Sequence, residues 1–568
     1  MAGGIADMSH LPGGTTALAV AIAIRNWVGR LWAGSTFYGW MLSGPAPEGL
    51  LAAPRDPRPA DPVAGREILA GRFALAGSVL DTQGRGDPWD QPNPSERFAL
   101  ALHRMDWLAD LLAVGPQAHE EALRLILDWS RVFGRWNQFS WSPPVLQKRV
   151  LNLSFAVGII GPSAAQPDQD HMGRELARQA RHLLWTPCEP ALAAERAAVV
   201  AICGTALFGA AGEKLLDQGL NWLDHALPHT VHADGGHASR SPQAALELAR
   251  LLRTLDQALG KRGMVGSDIM IGTVDRLAGV ARFFALVDGS IPQFQGGESC
   301  EDSAAERLLS PEDAKVWPEP RNGYHRLDGA ALQVVVDAAA PATGSWSQAA
   351  CSQPLAFEAL ARGRRLIVNS GWSPQALGPQ AMRMSDSAST LSLGDGGCGA
   401  PLRGWRSRAL GPRLMGSAGA VEVRRHEAEG AAWLEMSHEN WAKRHRMRHE
   451  RRLFLDMIGD ELRGEDRLTP MGDSAAAAGR RFIPYTIRFH VHPQVSVSLA
   501  RDGKSALLRV AGDEGAWRLR SDAQETAVEA SGYFKGGVAR RTQQVVLRGH
   551  VRADAGTKVR WKLAPEDT

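Results

Sequence analysis

The sequence predicts a two-part α+β protein, with a helical N-terminal half followed by an antiparallel all-β half. Two observations carry this. Up to about residue 300 the apolar residues recur with the spacing of one helix face. After about residue 320 they alternate as in half-buried strands, with Asp-Gly and Gly-Asp pairs between the runs. A chain of 568 residues is also too long for one ordinary core, so two large domains are expected. The expected divisions are an N-terminal helix over 1–44, a helical domain over 45–300, a linker over 301–322 and a β domain over 323–568.

The elements follow in order. Ala17 to Ile24 is a short apolar run that continues through Arg25, Trp27, Val28, Leu31 and Trp32 at amphipathic spacing. It is too short to span a membrane and lacks the basic start of a signal peptide. The expectation is an amphipathic helix docked on the protein or on a surface. Residues 45–95 are rich in Pro, Gly and Asp and read as an irregular wrap. A helix is expected from Ser95, with Phe98, Leu102, Met105, Leu108 and Leu112 on one stripe and Gly115 at its end. The next carries Ala122, Leu125, Ile126, Trp129 and Phe133, and another runs from Val145 to about Ile160. Further helices are expected near 174–186, 190–203, 205–227, 242–260 and 266–286. Successive helices with short links make an all-α layer, either a curved α/α toroid or a plain bundle.

In the β half, Leu332, Val334 and Val336 alternate, and Arg365 to Asn369 reads as a buried strand. Arg451 to Leu468 reads as a hairpin turning at Gly459-Asp460, and Leu499 to Val510 as one turning at Asp502-Gly503. Ile487, Phe489 and Val491 point one way, with His490 and His492 on an outer polar face. Many such strands predict a sandwich.

Composition narrows the function classes. The formal net charge is only +3, so no global basic field argues for nucleic acid, and the locally dense Arg444 to Arg452, interrupted by His and Glu, reads as a solvated strand face. The five cysteines are widely spaced without a CxxC, which disfavours a disulfide framework or zinc knuckle. There is no GxSxG elbow, P-loop or HExxH.

Three clusters carry candidate chemistry. Asp234-Gly235-Gly236-His237-Ala238-Ser239-Arg240-Ser241-Pro242 is a tight loop before a helix. His237 can move a proton near neutrality and Arg240 can clamp a carboxylate. The competing view is a capping loop. Arg135 to Pro144 holds Trp136, Asn137, Gln138 and Trp141, which suit sugar stacking and hydroxyl recognition or, equally, core plugs at helix ends. Trp433 to His438 places His438 at a strand end. Asp234 and Asp288 are the pair a glycoside hydrolase would need.

At these residues the chain resembles the heparinase II/III family of polysaccharide lyases. The resemblance runs from about residue 65 to 550. It rests on DGGHASRSP at 234–242, GYHRLDGAALQVVVDAA at 323–339, PLAFEALARGRRLIVNSGW at 354–372, WLEMSH at 433–438 and RRLFLDMIGDELRGEDRL at 451–468. It implies an α/α toroid followed by an antiparallel β-sandwich. It also implies β-elimination on a polysaccharide containing uronic acid.

In that reaction a base removes the weakly acidic C5 proton, a neutralising group offsets the uronate charge, and an acid protonates the leaving O4. The resemblance implies His237, Arg240 and Tyr324 as the catalytic candidates, and Trp136, Asn137, Gln138 and Trp141 as the substrate-binding ones. His438, Asn369 and Cys351 fall where relatives with zinc place ligands. An acidic polysaccharide is the implied partner. The implied location is the cell envelope or periplasm, with the cytoplasm as alternative. Two positions depart from the family pattern. Cys351 stands where a His is common, and the helical half has only Tyr38. The same scaffold therefore also suits a catalytically weak glycan-binding protein.

Overall fold

The computed structural model describes residues 14–84, 86–298, 319–373, 380–416, 419–472, 481–513, 515–536 and 538–566. Most of the expected linker, and Cys300, lie outside them. The chain divides into two compact units. The first holds residues up to Val231 together with Glu247–Asp275, and the second holds His232–Leu246 and everything from Arg276 onward. The loop bearing His237 and Arg240 thus belongs with the sheets.

Helices follow one another through the first 284 residues as α1 (Gly14–Ala33), α2 (Thr36–Ser43), α3 (Pro62–Leu69), α4 (Glu96–Arg104), α5 (Leu108–Leu112) and α6 (His119–Phe133). After them come α7 (Pro143–Ile160), α8 (Gln166–Trp185), α9 (Pro190–Thr205), α10 (Ala210–Thr230), α11 (Pro242–Lys261) and α12 (Asp268–Phe284). Ser95 caps α4 by accepting the Phe98 N–H at 3.2 Å. The single helix expected there is instead two, because Met105 turns left-handed at φ +58°. Its apolar stripe is nevertheless buried from Phe98 to Leu108. The wrap before it contains α3 and a short hairpin, Arg72–Leu75 with Ser78–Asp81.

The β half has two large antiparallel sheets. One runs in the order Val421–Ala428, Ala431–His438, Met447–Asp456, Glu461–Pro470, Thr557–Glu566, Ala516–Ser521, Ser505–Val510 and Val495–Leu499. The other runs Glu525–Lys535, Val538–Arg552, Phe482–Val491, Arg364–Val368, Phe357–Ala361, Leu332–Asp337 and Tyr324–Asp328, with Leu391–Leu393 also paired to Phe482–Val491. Burial alternates residue by residue along Met447–Asp456, so one face packs inward and the other meets solvent. Leu434, Leu453, Leu455, Leu462 and Leu563 share a core with Val334, Phe357, Ile487, Phe489 and Val545. The outer polar face expected for His490 is a correction. His490 is buried, and its Nδ1 lies 2.7 Å from the Ser531 hydroxyl.

Candidate functional site

The loop between α10 and α11 is shaped by its glycines. Gly235 sits at φ +84°, and a Cβ there would lie 2.3 Å from the Arg276 carbonyl oxygen. Asp234 fastens the loop, accepting from the Gly236 N–H at 2.9 Å and the Asn322 N–H at 2.6 Å. Asp288 is likewise held in its own turn by the Ser290 N–H. Each of these carboxylates serves a local fold.

Arg240 is itself left-handed, at φ +62°. Its guanidinium makes four hydrogen bonds, to Asp337 Oδ1 at 2.7 Å, to the Ala339 and Ala340 carbonyls at 3.0 Å each, and to the Asn322 carbonyl at 3.1 Å. It also lies 4.8 Å over the Tyr324 ring. Burial works against its charge, and Asp337 outweighs that and holds the guanidinium protonated. Tyr324 is fully buried and its hydroxyl donates to the Arg240 carbonyl at 2.8 Å. Burial raises that phenol well above its ordinary range, and Asp337 adds to the effect. Asp337 Oδ2 accepts from Gln295 at 2.8 Å, and Gln295 accepts the Cys351 N–H at 2.9 Å. The expected uronate clamp and acid are thus parts of one buried internal network.

His237 neighbours this network. The Ser239 N–H donates to its Nδ1 at 3.2 Å, which puts the imidazole proton on Nε2. Nε2 is buried with no hydrogen-bond partner, and the ring packs edge-on against Trp346 at 5.8 Å. Burial pushes the imidazole down to about 4, and His232 adds to that, so it is neutral at physiological pH.

The Trp loop belongs to the other unit. Asn137 closes its own turn with Ser140, accepting the backbone N–H at 2.8 Å and donating to the hydroxyl at 2.6 Å. Trp141 is buried, its indole N–H donating to the Phe133 carbonyl at 2.9 Å, with the Arg178 guanidinium 5.1 Å over its ring. Gln138 is exposed and Trp136 half-buried. Tyr38, the tyrosine of the helical half, is buried with its hydroxyl 2.7 Å from His182 Nδ1.

The proposed metal ligands do not form a binding set. His438 Nδ1 accepts the Asn440 N–H at 3.2 Å, which leaves Nε2 to donate to His449 at 3.1 Å. His449 passes this on to Asp466 at 2.8 Å, and Arg451 makes two bonds to the same carboxylate. Burial lowers both imidazoles, and Arg451 and His449 hold Asp466 ionised against its own burial. Asn369 Oδ1 accepts the Ser389 N–H, and its amide bonds Glu358. Burial lifts the Cys351 thiol to about 11. Both nitrogens of His438 are occupied, and a guanidinium stands beside the cluster. Among the described residues no group of three or more His, Cys, Asp and Glu could hold a metal ion. These residues do not fit zinc. Sequence reasoning missed the His449, Asp466 and Arg451 relay, having taken that arginine-rich strand as a solvated face.

A second candidate surface lies on α1 and α2. Leu18, Ala19, Ile22, Tyr38 and Leu42 are buried. Val20, Ile24, Trp27, Val28, Leu31, Trp32, Phe37, Trp40 and Met41 are exposed, Trp40 at 71% and Trp27 at 57%. Arg25 and Arg30 are the only charged residues of the two helices. No described helix is long and apolar enough to cross a membrane.

Comparison with known proteins agrees with this architecture. Residues 312–562 match the model of the heparinase II/III-like C-terminal domain. FtsZ-localized protein C of Caulobacter vibrioides is 44% identical over 566 residues, covering 99% of this chain and 98% of the relative. The crystal structure of heparinase III superposes with a TM-score of 0.64 at 13% identity, covering 86% of this chain and 79% of that one. A heparan sulfate lyase HepC mutant from Pedobacter heparinus gives 0.57 at 14% identity, covering 98% and 89%. This fold, an α/α toroid followed by an antiparallel β-sandwich, replaces the plain-bundle alternative. By its sequence, its helical half and its paired sheets, the chain belongs to the heparinase II/III family.

Proposed function

We propose that this protein keeps the polysaccharide-lyase fold as a binding module that does not catalyse elimination, and that α1 and α2 hold it on a membrane surface. The observation that carries the first part is the Arg240 guanidinium. Asp337 and three carbonyls occupy it, so neutralising a uronate would require breaking a buried ion pair. Tyr324 is committed to the Arg240 carbonyl and burial lifts the Cys351 thiol to about 11, too weak to give up its proton readily, so neither supplies a ready acid. The elimination reading retains only His237, whose unpartnered Nε2 carries the ring proton and would serve as a donor to the leaving oxygen, while Nδ1 already accepts from Ser239.

The second part rests on the nine exposed apolar side chains between Val20 and Met41. Their Trp residues and the two arginines, with no carboxylate on either helix, match the chemistry of an anionic bilayer interface. The relative named FtsZ-localized protein C supports a role for this chain beside FtsZ, with the family fold serving recognition.

The test has two arms. The full chain is incubated with a panel of uronate polysaccharides while the ultraviolet band of a 4,5-unsaturated uronate is followed. No rise is expected. A rise abolished by His237→Ala would restore the lyase reading. The chain is also sedimented with vesicles of anionic and of neutral lipid. Preferential binding to the anionic vesicles is expected, and failure to bind either removes the membrane assignment.

A further inference from the structure

On the solvent face of the sheet that begins with Val421–Ala428, an open groove of about 760 Å³ crosses the strands. Its floor follows one row of cross-strand neighbours, Trp433 opposite Phe454, Phe454 opposite Arg463, Arg463 opposite Lys562 and Lys562 opposite Arg520. The row is apolar at one end and cationic at the other. Arg452, Arg560 and Lys504 complete a lining of six cations against two carboxylates, Glu465 and Asp522. Glu435 and Glu461 engage Arg452, Arg463 and Lys562 from outside the lining. Among the described residues Lys504 and Arg520 make no ion pair within 4 Å.

We propose that this groove binds an extended acidic peptide segment of a partner protein, laid across the strands. In this pose a bulky apolar side chain packs against the ring edges that Trp433 and Phe454 leave open, where a pyranose would need a free ring face, and carboxylates follow over Arg463, Lys562 and Arg520. Dimensions agree with this. The row spans five strands, roughly 19 Å at the usual strand spacing. About six extended residues cover that length.

The chemistry favours a peptide over a glycan. His426 stacks on Trp433 at 5.1 Å and 17°, and the Arg463 guanidinium covers Phe454 at 5.5 Å, so these ring faces are already occupied where a sugar would stack. The polar lining is six cations with Glu465, Asp522 and Ser521 and no side-chain amide, so it reads negative charge before hydroxyl groups. Paired cations beside an apolar floor instead supply steering and an anchor for an acidic chain. The inference stands apart from the question of elimination, since none of these residues belongs to the His237 and Arg240 network.

The test uses the full chain and a labelled peptide carrying Phe followed by a run of Asp and Glu, with binding read by fluorescence anisotropy. Binding is expected to weaken as salt rises. Arg520→Glu combined with Lys562→Glu should weaken it about tenfold or more, and Trp433→Ala should weaken it without removing the salt dependence. Circular dichroism and melting temperature should match the parent for both variants, since these side chains lie on the solvent face. The proposal is overturned if the peptide does not bind, or if both variants bind it as the parent does. It is equally overturned if the Lys counterpart of the peptide binds as well, or if polygalacturonate displaces the peptide at equal carboxylate concentration.

Discussion

Around Arg240, charge and hydroxyl are sealed inside and tied to named partners. Along α1 and α2, nine large apolar side chains stand in solvent. The two regions invert the usual partition in opposite directions, and each inversion has a different meaning. A buried ion pair persists only when its geometry is complete, because removing one partner leaves an uncompensated charge. Such a group is committed to the fold. Contiguous exposed apolar surface does nothing for the isolated fold and marks a place where something else binds. In the function proposed above, residue types that look catalytic serve architecture, whereas residues that look like ordinary core serve contact.

The sharpest way to break this contrast is Arg240→Ala. If the guanidinium is structural, the orphaned Asp337 should cost about 3–5 kcal/mol, read as a large fall in melting temperature. A variant that melts like the parent would show the guanidinium to be free for ligand. Gly235→Ala should cost about 1–3 kcal/mol, because a Cβ meets the Arg276 carbonyl and φ is +84°. Chemical denaturation would measure it.

A third prediction concerns pH. His237 sits near 4 in the folded protein against about 6.5 when unfolded. Between those values the unfolded chain binds more protons, so this contribution is complete above about 6.5 and is lost as pH falls towards 4. His490, held near 3 by burial, acts in the same sense. His237→Asn should therefore flatten the melting-temperature profile across that window relative to the parent. An unchanged slope would show that His237 is not held neutral. The smallest effect on stability belongs to Trp27→Glu combined with Trp40→Glu, within about 0.5 kcal/mol per site because both side chains are exposed. The same pair should abolish sedimentation with anionic vesicles. Retained sedimentation would move the binding surface elsewhere.

Much of the fold was legible because amphipathic helices and half-buried strands write their period into the sequence. The break at Met105 was not, since a left-handed methionine carries no composition signal. The 234–242 loop was visible from its glycines, but the partner of Arg240 is Asp337, 97 residues away, and only tertiary structure joins them. The relay from His438 to Asp466 could have been found. The turn at Gly459-Asp460 fixes the hairpin register, and counting outward sets Arg451 opposite Asp466 and His449 opposite Leu468. Reading Arg444 to Arg452 as one solvated face overlooked the period of two, which sends Arg451 inward and Arg452 outward.

Arg181 of α8 donates to the last carbonyls of α2, those of Leu42 and Ser43, and to that of Pro45 just beyond. Tyr38 adds its contact with His182. The apolar pair of helices is therefore bolted to the helical unit instead of trailing on a leash. A leash would only raise local concentration, whereas a rigid mount also dictates orientation. Whatever these helices adhere to will see that unit from a single, reproducible side.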